Sequence, residues 1–169
     1  MLLGNHLGIK SESQIKNCLL FQELGALVGG ICAGALSDAL GSRTVVMSLF
    51  TLGLASPALY AVFFIRGEWL SFSLSYFLFG FGSFGPHVLV GLLARELFPD
   101  ASSTAGTFAK SIAQVGGALA GVPVSWIITS YGWNSVGRVW VLSLWLSAVV
   151  FASLEWGIVT PSSEKEKKE

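Results

Sequence analysis

The chain has 169 residues, 53% of them hydrophobic and 12% charged, with 20 glycines and a mean hydropathy of +0.68. A water-soluble domain is typically about 45–50% apolar and about 25% charged, so this composition excludes an ordinary soluble fold. Ten basic and ten acidic residues cancel to a formal net charge of zero, which excludes the basic field that nucleic-acid binding requires.

A helix that crosses about 30 Å of hydrocarbon needs roughly 20 mostly apolar residues. Five such stretches occur in chain order, at 18–36, 44–65, 69–93, 104–130 and 136–159. They predict an all-α membrane protein of about five transmembrane helices, with the lipid bilayer as its solvent. Residues 1–17 form a short extramembrane segment in this scheme. Its apolar run is broken by Gly4, Asn5, His6 and Gly8 and has no basic start, so the first span is expected to be retained.

Each connection carries a reason to stop a helix. Ser37 to Arg43 is polar and broken by Gly41; Arg66-Gly67-Glu68 brings two charges to water; Arg95 to Asp100 contains Pro99; Tyr131 to Ser135 contains Gly132. Connections this short make neighbouring spans antiparallel. The segment 160–169 is rich in Lys and Glu and is expected to be an unstructured cytoplasmic tail. The basic residues Arg43, Arg95, Lys165, Lys167 and Lys168 would share one side, against Lys10, Lys16, Arg66 and Arg138 on the other, a slight bias towards a cytoplasmic C-terminus.

Lipid gives helices no hydrophobic reason to associate, so close packing needs small residues. Gly25 with Gly29 and Gly30 with Gly34 form small-xxx-small patterns in the first span, and Gly117 with Gly121 repeats the pattern in the fourth. All six are expected at helix contacts. Gly80 to Gly85 matches a dinucleotide-binding fingerprint in spacing only. No strand pattern precedes it and Pro86 follows directly, so a bend in a membrane helix is expected instead. Cys18 and Cys32 would lie about 21 Å apart on one helix and are expected to be unpaired.

Polar residues inside a span are costly and point to a substrate pathway. Four qualify: Glu23, His87, Lys110 and Gln114, with pairing to a neighbour or water as the alternative for Glu23 and a satisfied packing histidine as the alternative for His87. Lys110 and Gln114 are four residues apart and share a helix face, although Lys110 lies only about 9 Å along the helix from Thr104 and could reach the interface by extending its side chain. No Ser-His-Asp order, phosphate-binding loop or metal-ligand spacing is present, so an enzyme, a metal and a cofactor are not expected.

The run Gly34-Ala35-Leu36-Ser37-Asp38-Ala39-Leu40-Gly41-Ser42-Arg43 resembles the cytoplasmic loop signature of the major facilitator superfamily. With Gln22-Glu23-Leu24-Gly25, Gly82-Ser83-Phe84-Gly85-Pro86 and Val115 to Pro123, it resembles in order and spacing the organophosphate:phosphate antiporter family. Within that family the pattern is most similar to the glucose-6-phosphate translocases of the endoplasmic reticulum.

The resemblance implies that 18–159 is a partial C-terminal bundle, similar to the eighth to twelfth helices of a twelve-helix transporter. It also implies exchange of an organophosphate such as glucose 6-phosphate for inorganic phosphate. Asp38, Gly41 and Arg43 would then form a loop that controls conformation. Relatives bind phosphate with basic residues on their first and seventh helices, which have no counterpart here, so a missing N-terminal half or a second copy is an expected partner. Lys110 stands where relatives usually carry a small or uncharged residue. An endoplasmic reticulum membrane is favoured, with plastid and plasma membranes as alternatives. Two other functions stay open: a non-transporting, truncated membrane protein that associates with a full-length transporter, and a transporter of another organic anion.

Overall fold

A computed structural model describes residues 12–64, 69–119 and 121–166. Among them every regular element is helical, as hydrocarbon demands, because no water is available there to satisfy backbone N–H and C=O groups left unpaired. The elements are α1 (Glu12–Leu40), α2 (Arg43–Phe50), a π-helical turn (Thr51–Ala55), α3 (Ser56–Phe64), α4 (Trp69–Leu97), a 3-10 turn (Pro99–Ala101), α5 (Ser102–Leu119), α6 (Gly121–Tyr131) and α7 (Trp133–Glu166). Among the described residues, five segments are long and apolar enough to cross a membrane: Ser13–Leu40, Arg43–Phe64, Ser71–Leu97, Pro99–Tyr131 and Trp133–Leu154. The chain is an all-α, multi-pass integral membrane protein.

Local sequence explains the departures from a plain five-helix pattern. Pro57 has no N–H to give the Gly53 carbonyl, and the second span widens just before it, with the Ser56 N–H bonded to the Thr51 carbonyl. Pro123 lies in the fourth span, within α6. Pro86 stands inside α4, and the helix runs on through it. Helix α1 already includes residues 12–17, and α7 continues to Glu166, so the segment from 160 is helical that far rather than unstructured; Glu and Lys are strong helix formers. The expected connection at 66–68, residues 1–11 and Ala120 lie outside the described residues.

The closest helix contact joins α1 to α4. A β-carbon at Gly25 would overlap the Phe77 carbonyl, one at Gly29 the Phe81 carbonyl, and one at Gly80 the Gln22 carbonyl. Further along, a β-carbon at Gly85 would stand 2.7 Å from Ala33 Cβ and 2.8 Å from Phe50 Cδ1. Numbers rise together on the two helices, so α1 and α4 are parallel, as spans separated by one antiparallel neighbour must be. Gly30 contributes an ordinary contact, 3.4 Å from the Phe84 ring. Gly34, Gly117 and Gly121 differ: a β-carbon there would meet nothing within 4 Å, so the close approach expected at these three is not formed among the described residues.

Two apolar clusters flank this contact along the second span. Ala33, Val46, Met47, Phe50 and Leu89 pack at the α2 end, with Phe50 stacked on Phe81 at 5.4 Å between ring centroids. Leu59, Val62 and Phe63 pack at the α3 end against Tyr76, Phe79 and Val141. Helix α7 is pinned to α3 by Trp145 Nε1, which donates to Ser56 Oγ at 2.8 Å, and by Gly137 beneath the Phe63 ring. Half of the most apolar window of the second span is buried (50%) and none of that of the fourth (0%), so α5 and α6 lie along the outside of this bundle.

Gly29→Leu forces a side chain into the α4 backbone, and overpacking of this kind costs about 1–3 kcal/mol. Its unfolding temperature in detergent is expected to fall clearly below that of Gly34→Leu, whose added side chain enters open space; equal melting of the two variants would contradict the packing described here.

Candidate functional site

Two polar features stand out against the apolar helices. The first forms at the turn between α1 and α2. Gly41 has φ +66°, a left-handed conformation that ends α1 cheaply only with glycine. Ser42 then caps α2, its hydroxyl accepting from the Val45 N–H at 3.3 Å, and Arg43 becomes the first helical residue.

Arg43 gathers three helix ends. Its Nη1 donates to Ser37 Oγ at 2.9 Å and to Asp38 Oδ1 at 2.8 Å, both in the last turn of α1. Its Nε donates to Glu96 Oε1 at 3.0 Å and Oε2 at 3.2 Å, and its Nη2 to Glu96 Oε1 at 2.8 Å, in the last turn of α4. Each charge sits at the helix end that the macrodipole disfavours, with an acid at each C-terminus and a base at the N-terminus, at about 0.3–1 kcal/mol apiece. The pairing offsets that arrangement. The Asp38 and Glu96 side chains are 70% and 51% exposed, so each pair contributes at most about 1 kcal/mol, and geometry matters more than stability. Glu96 escaped the sequence reading because its partner lies 53 residues away; the Arg95-Glu96 doublet read only as a loop marker.

The second feature is the seam between α4 and α5, which holds three of the four predicted pathway residues. Lys110 lies across Gly91, its Cε 3.1 Å from where a β-carbon would stand. Arg95 lies likewise across Gly106, with Cγ at 2.9 Å. The two contacts set an antiparallel register in which Gln114, one turn beyond Lys110, is level with His87, one turn before Gly91. The His87 ring is 5.6 Å from that of Phe84. Glu23 stands apart on α1, and the structure shows no contact that brings it to the other three. All four are exposed, and among the described residues none of them makes a hydrogen bond or ion pair. Arg95, Gly91 and Gly106 were not singled out from the sequence, since only the register of folded helices makes them neighbours. Cys18 is buried and Cys32 exposed, and both are free thiols.

Residues 2–169 match the family model described as Major Facilitator Superfamily. The chain belongs to that superfamily. Among curated members it is 35% identical over 127 residues to a probable hexose phosphate transport protein of Chlamydia trachomatis, covering 69% of this chain and 26% of that one. It is 32% identical over 166 residues to a probable hexose phosphate transport protein of Chlamydia muridarum, covering 92% of this chain and 35% of that one. It is 29% identical over 133 residues to the membrane sensor protein UhpC of Escherichia coli, covering 76% of this chain and 30% of that one. The chain thus spans about a third of the length of these superfamily members. No solved structure matches the chain.

A double-mutant cycle on Arg43→Ala and Glu96→Ala, read as thermal unfolding in detergent, is expected to give a coupling of about 0.2–1 kcal/mol. A coupling indistinguishable from zero would show that the pair does not hold α4 to α2.

Proposed function

We propose that this chain is the C-terminal membrane part of a hexose phosphate transporter that exchanges its substrate for inorganic phosphate. The observation that carries this reading is the similarity to probable hexose phosphate transport proteins, which in one case runs over 92% of the chain. Glucose 6-phosphate is the favoured substrate, supported by the motif resemblance at Gly82 to Pro86 and Val115 to Pro123. The same resemblance supports an endoplasmic reticulum membrane, with the Asp38 to Arg43 turn and the C-terminal segment on the cytoplasmic side.

The chemistry fits an anionic solute. A phosphate ester needs cations that are not already neutralised, and Lys110 reaches the seam with no carboxylate among the described residues paired to it. His87 and Gln114, level with each other and about one turn deeper, offer hydrogen bonds for sugar hydroxyls. Alternating access in transporters of this kind is largely rigid-body rocking of one bundle against another. Arg43 supports that motion by tying the ends of α1, α2 and α4, so that three helices move as one body. The opposing bundle would be an N-terminal half or a second copy.

The 29% identity to UhpC favours one further reading, in which the same seam senses hexose phosphate without carrying it. Uptake of labelled glucose 6-phosphate into phosphate-loaded liposomes tests both, using this chain and its product with any upstream reading frame. Exchange is expected from the longer product, with Lys110→Ala lowering the rate about tenfold, equivalent to about 1.4 kcal/mol. Saturable binding without uptake would support the sensor, and neither binding nor uptake would overturn both.

A further inference from the structure

We infer that Arg95 and Lys110 together form a two-cation reception site for a phosphate group, at the end of the bundle that carries the Arg43 turn. The inference deepens the sugar-phosphate reading and depends on it for the identity of the ester, but not for the anion chemistry.

The site is built by reciprocal glycines. Arg95 leaves α4 and lies over Gly106 of α5; Lys110 leaves α5 and lies over Gly91 of α4. The aliphatic stems are seated on the facing backbone, Arg95 Cγ and Cδ at 2.9 and 3.2 Å and Lys110 Cε at 3.1 Å from the missing β-carbons, so the charged heads stand at the seam. A side chain at 106 would displace Arg95, and one at 91 would crowd the end of Lys110. Gly91 and Arg95 are one turn apart on α4, so the two cations sit about 6 Å apart in depth. A phosphate group accepting charge-assisted hydrogen bonds of about 2.8 Å from both sides spans such a gap.

Neutralisation from within is absent among the described residues, where neither cation makes an ion pair or a hydrogen bond. Glu96, the carboxylate next to Arg95 in the chain, is claimed by Arg43. Two like charges at this separation repel, and an entering anion relieves the repulsion. A dianion does so fully, and a phosphate monoester, with its second pKa near 6, is largely dianionic at pH 7.

The test is binding of inorganic phosphate to the full 169-residue chain in nanodiscs, with thermal unfolding as a control for folding. Arg95→Gln and Lys110→Gln are each expected to weaken binding at least tenfold. Gly106→Leu should weaken it as well, although it keeps both cations, because it displaces Arg95. Arg138→Gln, which removes a cation elsewhere, should leave the affinity unchanged. If the folded double variant Arg95→Gln/Lys110→Gln binds phosphate as tightly as the parent, the inference is overturned. Competition by phosphatidic acid would identify a lipid headgroup as the natural phosphate, and its absence would identify the soluble anion; both uphold the site. Phosphate binding by the chain without glucose 6-phosphate exchange in liposomes would remove the transport reading and leave this site standing.

Discussion

Backbone-to-backbone contact between α1 and α4 is the constraint on which this bundle rests. In a bilayer the hydrophobic effect does not draw helices together, so association depends on van der Waals packing over a close approach. Gly25, Gly29 and Gly80 permit that approach because a β-carbon at each would overlap a carbonyl of the facing helix. Once α4 is held this way, its remaining faces are assigned. Gly82, Gly85 and Leu89 turn to the second span, and Gly91 and Arg95 turn to α5.

The charges divide along the same lines. Arg43 is satisfied by two carboxylates and a hydroxyl, and it bolts three helix ends together near water, where a pair contributes little stability but fixes geometry. Arg95 and Lys110 carry the same sign without such partners. By engaging Glu96, the structural cluster leaves the neighbouring seam positive. A fold with zero formal net charge thereby carries two cations of one seam without carboxylate partners among the described residues.

Much of the fold was legible in the sequence, since 20-residue apolar stretches have few other uses and the structure's spans fall within a few residues of them. The Asp38 to Arg43 turn was legible as a polar, glycine-broken connection that resembles a loop signature, whereas the Ser42 cap and the Arg43–Asp38 pair came from the structure. Long-range partners were not legible. Glu96 and the Gly91–Lys110 and Gly106–Arg95 seats require the register of α4 against α2 and α5, which no local pattern encodes. Gly117 and Gly121 show the converse limit: they repeat the spacing of Gly25 and Gly29, yet they face open space in this chain. Small residues permit close packing, and a partner helix must still be present to use it.

Thiol accessibility along α4 and α5 tests the account most directly. Single cysteines at 87 and 114, in a background lacking Cys18 and Cys32, would be treated with a membrane-impermeant reagent with and without hexose phosphate. The account predicts reaction at these seam positions and protection by the phosphate ester, with a cysteine at Ala26, in the α1–α4 contact, unreactive. Reaction at Ala26 equal to that at the seam, or a seam that the ester leaves unprotected, would contradict it.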